Sequence, residues 1–313
     1  MGLFARAKKR EGLLATAWTN EGVCAALVQP RTGDKPQVKA VMWHAGAKAA
    51  APAMEKLGKE MQASSYRCAT LLGAVDYQLL SLEAPNVPPE ELKTAVGWRL
   101  KDMLDFPLAD ATIDVFDIPP DQNAPVRGQS VFAVAARNSA VAQRQGIYAA
   151  AKISLAVIDI PEMAQRNIAA LLETPGRGLA MLSFDGDGGL LTVNFNAELY
   201  LSRRIDVKLA QLAEGSDDQK HQYYDKITLE LQRSFDHFDR QFHFINVIKL
   251  VLAPTGTDGL HGYLADNLYM PVEVLDLAAV FDFADLPSLQ DAAGQARFFL
   301  TLGAALRQEA ALP

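Results

Sequence analysis

The stretch Leu13-Leu14-Ala15-Thr16-Ala17-Trp18-Thr19-Asn20-Glu21-Gly22-Val23-Cys24-Ala25-Ala26-Leu27-Val28-Gln29 decides the reading of the fold. Two apolar, strand-length runs, Leu13 to Trp18 and Val23 to Gln29, flank a short turn that carries Asn20 and Gly22. Such runs bounded by turn residues read as paired strands. Gln37 to Trp43 supplies a third strand, which makes a meander. Ala47 to Met61, rich in Ala, Lys, Glu and Met, favours helix and feeds the apolar run Cys68 to Leu72. Further along the chain the pattern returns. Leu179 to Phe184, Leu191 to Phe195 and Leu199 to Ile205 form a second meander, separated by Asp185 to Gly189 and by Asn196, Ala197 and Glu198. A long helix over Gln219 to Gln241, a strand over Ile245 to Leu252, a helix over Asp258 to Asn267, a strand over Val272 to Leu275 and a closing helix over residues 289–309 come next. This duplicated order predicts an α/β protein of two lobes, residues 1–165 and 166–313, with the closing helix packing back toward the first lobe.

Residues 73–136 interrupt the first lobe as a small α+β module. A strand near Gln78 to Leu82 leads through Pro85, Pro88 and Pro89 to a helix over Glu90 to Leu104. Proline suits a helix start, and Glu90 and Glu91 complement its positive end. Leu92, Val96, Leu100 and Leu104 recur every four residues along one face, widened by Trp98 and Met103. Thr112 to Ile118 and Ser130 to Ala136 read as strands on either side of a polar loop, Asp121 to Gly128. A helix from Asn138 to about Ala150, a strand over Ile153 to Ile160 and a helix over Pro161 to Leu172 complete the lobe.

Composition narrows the function classes. Half of the 313 residues are hydrophobic, enough for a substantial core, and the formal net charge is −7, so no basic field attracts nucleic acid. The longest apolar runs, such as Leu179 to Phe184 and Val247 to Ala253, fall far short of the roughly 20 residues that span a bilayer. Met1 to Arg10 is basic, but Trp18, Asn20 and Glu21 break the apolar run beyond it, so no secretion signal is expected. Leu3 and Phe4 with Arg6, Lys8, Lys9 and Arg10 read either as an unstructured terminus or as an arm that docks on a partner or an anionic membrane surface. Cys24 and Cys68 are too few for a disulfide scaffold and are expected as buried thiols.

Candidate sites are sparse. Asp185-Gly186-Asp187-Gly188-Gly189 lies between two strands, where a hairpin presents backbone N–H groups to phosphates and a carboxylate to a metal; the same residues equally make a solvated turn. It lacks the Gly-Lys-Ser/Thr ending of a P-loop. His237 and His243 lie six apart near a helix end, about 240° around a 3.6-residue helix, and face different ways, so no zinc site is expected. No Gly-x-Ser-x-Gly elbow supports acyl transfer. Leu231, Phe235, Phe238 and Phe242 form an apolar helix stripe, read as core or as the floor of a partner groove.

Several segments resemble the PilM family of type IV pilus assembly proteins. Met1-Gly2-Leu3-Phe4 with its basic continuation resembles the family's start. Pro89-Glu90-Glu91-Leu92, Trp98 to Leu104, Ala111 to Phe116 and Val131 to Arg137 resemble its inserted subdomain. Leu229 to Phe238 and Leu302 to Arg307 resemble its second-lobe and closing helices. The tryptophan in the insertion helix points to the MshI branch, which serves MSHA pilus biogenesis. The resemblance implies an actin-like, ribonuclease H-like fold of two lobes around a cleft, a place on the cytoplasmic face of the inner membrane, and capture of the short cytoplasmic tail of a PilN-like, single-span membrane protein. Actin-like relatives bind ATP and magnesium between two phosphate hairpins. Laid on the family's Asp-x-Gly-x-x-x-x-Lys stretch, this chain has Ala17, Thr19 and Cys24 at those three positions. The second hairpin keeps Asp185 to Gly189, and the adenosine-side Gly-Gly stretch is reduced to Ala253-Pro254-Thr255-Gly256.

Loss of the magnesium carboxylate removes charge neutralisation that phosphoryl transfer requires, so ATP binding is expected to be weak or absent and hydrolysis negligible. The first expectation is therefore a scaffold that links inner-membrane subunits with the pilus motor ATPase. Against it stand a nucleotide-gated ATPase in the same machine and, by fold analogy alone, a filament former of the cell-division type. The apolar face Leu92, Val96, Leu100 and Leu104 is the expected partner groove, because a helix beside an open sheet edge can take an extended tail as an added strand.

Overall fold

The structure, a computed structural model, describes residues 9–19, 21–46, 50–121, 129–283 and 285–308. The first lobe runs β1 (Leu13–Trp18), β2 (Gly22–Gln29), β3 (Gln37–Ala45), α1 (Ala50–Glu60) and β4 (Arg67–Leu71). It continues after the insertion with α3 (Asn138–Ala150), β8 (Leu155–Asp159) and α4 (Pro161–Ala169). The insertion holds β5 (Tyr77–Glu83), α2 (Leu92–Leu100), β6 (Ala111–Ile118) and β7 (Ser130–Arg137). The second lobe runs β9 (Gly178–Phe184), β10 (Gly189–Phe195), β11 (Glu198–Ile205), α5 (Leu209–Glu214), α6 (Asp217–Gln241) and β12 (Val247–Leu252). It ends with α7 (Leu260–Asn267), β13 (Val272–Val274) and α8 (Ala292–Ala305).

The two large sheets are built alike. Their strand orders are β3-β2-β1-β4-β8 and β11-β10-β9-β12-β13. Each is an antiparallel meander whose first strand, β1 or β9, also pairs in parallel with a later strand, β4 or β12. β2 and β9 are buried along nearly their whole length, which is why they read as unbroken apolar runs rather than as alternating ones. The opening turn joins Ala17 and Cys24 as direct cross-strand neighbours.

The closing helix does pack against the first lobe. α8 lies against β1, β2, β4 and α4, and its Phe298, Phe299 and Leu302 share a core with Ala15, Cys24, Ala26 and Ala69. A Cβ on Gly303 would stand 2.2 Å from the Ala164 carbonyl oxygen, so the glycine is what lets α8 and α4 approach. α8 starts at Ala292 rather than Leu289 because the Asp291 carboxylate caps it, accepting from the Gly294 N–H at 2.6 Å. The expected boundary at residue 165 falls within α4, where the Gln165 amide donates to the carbonyls of Met181 (2.9 Å) and Leu190 (3.1 Å) in the second sheet.

In α6, Ser216 forms a capping box with Gln219, which starts the helix two residues before the expected Gln219. Its stripe Leu231, Phe235, Phe238 and Phe242 is buried in the second lobe's core, not open as a groove. Cys24 and Cys68 are buried free thiols. His237 and His243 are both exposed, and among the described residues no cluster of His, Cys, Asp or Glu is placed to hold a metal. No described helix is long and apolar enough to cross a membrane.

The insertion folds as a three-stranded sheet, β5-β7-β6, with α2 on one face. Here the sequence expectation needs correction. Val96 and Leu100 are 0% exposed and pack with Phe106, Val131, Ala133 and Ala135, while Leu92 and Leu104 pack at the margin of that cluster. This face is the module's own core, so it cannot line an open groove. Near this face Trp98 (69% exposed) and Met103 (48%) stand in solvent. The helix also stops at Leu100, whose carbonyl takes the N–H groups of both Met103 and Leu104 in a tightened last turn. Of the basic arm, Leu3, Phe4, Arg6 and Lys8 lie outside the described residues, as do Ala47 at the expected start of α1, residues 122–128 of the polar loop, and Glu309.

Candidate functional site

The turns after β1 and β9 meet between the lobes. Ala17, Trp18, Thr19 and Cys24 form one wall of a cavity, and Ser183, Phe184, Asp185, Gly186 and Asp187 form another. Leu71 to Gly73 after β4, Pro161, and Arg297 with Leu300 and Thr301 of α8 close it. Of the second hairpin, Asp185, Gly186 and Asp187 line this cavity. Gly188 and Gly189 have backbone tasks instead: Gly188 sits at φ 135° with its missing Cβ 2.8 Å from the Ile205 carbonyl oxygen. A Cβ on Gly189 would meet the Phe184 ring at 2.8 Å. Gly256 is not brought to the cavity; it holds φ 67° and packs against Ala293 at the start of α8.

The carboxylates are already engaged. Asp185 Oδ1 accepts from the N–H groups of Asp187 (2.8 Å) and Gly188 (3.1 Å), which fixes the turn. Burial pushes the Asp185 carboxyl up from its usual value. Asp187 Oδ2 accepts from the Ala74 N–H at 3.1 Å and so ties the second lobe's hairpin to the loop after β4. On the facing wall the Cys24 thiol donates to the Arg297 carbonyl at 3.4 Å and is pushed up to about 12 by burial. The Arg297 guanidinium lies over Trp43, 5.4 Å from the ring centroid.

This arrangement does not fit magnesium and a triphosphate. The cavity holds about 80 Å³, against roughly 300–1,000 Å³ for sites that take drug-sized ligands. Its carboxylates stand on one wall only; Ala17 and Cys24 occupy the other with no anion.

Below the cavity a buried polar cluster joins three elements that sequence reasoning did not connect. Tyr77 at the start of β5 donates its hydroxyl hydrogen bond to Glu162 Oε2 of α4. Arg204 Nη2 of β11 reaches Glu162 Oε1 at 3.0 Å and the Tyr77 hydroxyl at 2.7 Å. Glu162 is 2% exposed, and burial with the adjacent Glu162 charge pushes the Tyr77 phenol well up. The cluster pins insertion, α4 and second lobe together. Its members lie 42 and 127 residues from Arg204, and a buried glutamate at the second position of a helix looks in sequence like ordinary dipole compensation.

Two sheets of matching strand order, a cleft between their facing hairpins, and a closing helix against the first sheet define an actin-like fold, with the small α+β module inserted in the first lobe. Solved structures agree. The PilM-PilN type IV pilus biogenesis complex matches with a TM-score of 0.74 at 20% identity, covering 96% of this chain and 98% of that one. The cytoplasmic domain of EpsL, an inner-membrane component of the type II secretion system of Vibrio cholerae, matches at 0.51 and 13% identity, over 96% and 97% of the two chains. A Bacteroides thetaiotaomicron protein of actin-like ATPase fold and unknown function matches at 0.51 and 10% identity, over 90% and 96%. No family model and no curated protein sequence matches the chain.

Proposed function

We propose that this chain is an assembly-platform protein of a type IV pilus machine, of the MshI branch serving MSHA-type pili. It sits on the cytoplasmic face of the inner membrane, holds the cytoplasmic tail of a PilN-like single-span protein, and links it to the pilus motor ATPase. The carrying observation is the match to the PilM-PilN structure over 96% of the chain, a coverage that cannot leave out the inserted module, which is about a fifth of the sequence. The reading assigns no nucleotide turnover to the protein, because the small cleft with Ala17 and Cys24 on one wall offers a magnesium–phosphate group too little space and too little charge.

The tail docks at the insertion's outer surface. Trp98 and Met103 supply exposed apolar anchors of the kind that dominate interfaces, beside β6, an outer strand of the inserted sheet. Calorimetric titration with a synthetic N-terminal tail of a PilN-type partner, beside titration with ATP and magnesium, tests both halves. Tail binding that Trp98→Ala with Met103→Ala weakens at least about tenfold, and no heat with ATP, is the expected result. Tight ATP binding would restore a nucleotide-gated switch to first place, and tail binding untouched by the double variant would move the docking surface elsewhere.

A further inference from the structure

A second cavity, of about 350 Å³, opens where the inserted sheet meets the second lobe. Its floor is apolar: Phe132 of β7, Tyr200 and Leu201 of β11. Its rim is made of hydrogen-bonding groups and cations: Ser81 of β5, Ser202 and Arg203 of β11, and Arg233, His237 and Gln241 of α6. The side chains of Ser81, Ser202, His237 and Gln241 make no hydrogen bond to any described residue. Among the described residues, Glu230 alone answers both guanidiniums, at 3.5 Å from Arg203 and 3.2 Å from Arg233. Each guanidinium carries five N–H donors, so most of their capacity and one unit of charge remain unspent, on a protein whose net charge is −7. β11 is also the outer strand of its sheet: it hydrogen-bonds β10 on one side, with a bulge at Tyr200, and on the other side it is approached by β6 of the insertion without a described strand ladder.

We infer that this cavity is a second peptide site, which takes an extended acidic segment of a partner protein as an added strand on β11. Alternate side chains of an extended peptide point to opposite faces. One set meets Phe132 and Tyr200, while carboxylates in the other set meet Arg203 and Arg233. The site is separate from the Trp98 surface and stands whether or not that surface holds a membrane partner's tail.

The test is selection from a random-peptide phage library on the full chain, followed by fluorescence anisotropy with the enriched peptides. Arg203 and Arg233 are both exposed, so Arg203→Gln with Arg233→Gln leaves the fold intact, which circular dichroism checks. Enriched peptides should be acidic, lose at least about tenfold in affinity to the double variant, and weaken as salt rises. N-methylation at alternate backbone positions should abolish binding in one set and spare it in the other, as strand addition requires. Enrichment of neutral or basic peptides, or indifference to the two arginines, overturns the proposal. Inorganic pyrophosphate binding at the same arginines with no peptide enriched would overturn it too, in favour of a small-anion site.

Discussion

Replacing Arg204 with Met isolates the worth of the cluster that joins the lobes. The change keeps most of the apolar stem but removes the cation from Glu162, whose remaining side-chain partner is the Tyr77 hydroxyl. Breaking a buried ion pair from one side costs about 3–5 kcal/mol. The Arg204 side chain is 32% exposed, so water replaces part of what is lost and the expected cost falls to about 2–3 kcal/mol. Glu162→Gln, which keeps hydrogen bonding but removes the stranded charge, should cost about 1–2 kcal/mol alone. In the double variant no uncompensated charge remains, so its cost should be below the sum of the singles by at least about 1 kcal/mol. Urea unfolding of the four proteins gives these values from the midpoints, provided the slope is unchanged. Additive costs, or an Arg204→Met loss under about 0.5 kcal/mol, would refute the idea that the three side chains act as one buried unit.

Phe238→Ala should destabilise by about 3–5 kcal/mol, since the ring is fully buried in the second lobe's core; urea midpoints check it. Iodoacetamide should label neither thiol in the native protein within hours at neutral pH and both in urea, because burial pushes Cys24 to about 12 and Cys68 to about 11; mass spectrometry reads the adducts. Asp185→Asn should raise the melting temperature at neutral pH and leave it unchanged near about pH 3. The sign comes from burial raising the folded-state pKa: the folded protein holds its proton longer than the unfolded one, so this group's stability contribution falls as pH climbs from the ordinary carboxylate value to the raised one.

Much of the frame could be read from residues in order. The two meanders were legible because β2 and β9 are covered on both faces and leave continuous apolar runs between turn residues. α5 is not legible, being a six-residue helix whose only buried side chain is Leu212. Asp185 to Asp187 line the cleft because a strand–turn–strand stretch fixes its own geometry. The helix face Leu92, Val96, Leu100 and Leu104 is legible as apolar, but periodicity says that a face is covered and not by what, so its true cover, the module's own sheet, is not. Glu162 and Arg204 carry no local signal at all; only the juxtaposition of α4 and β11 makes them a pair.

α8 has a consequence for how the protein is made. This last described helix supplies Phe298, Phe299 and Leu302 to a core whose other members include Ala15, Cys24 and Ala26 from β1 and β2. On the ribosome those strands emerge long before α8 and must wait, with an apolar face uncovered, until residues 292–305 have been synthesised. The insertion and most of the second lobe's core need no such wait. Order of synthesis and order of folding are therefore reversed for the first lobe, and any product that stops short of α8 leaves that lobe open to chaperones and proteases, however well the rest has folded.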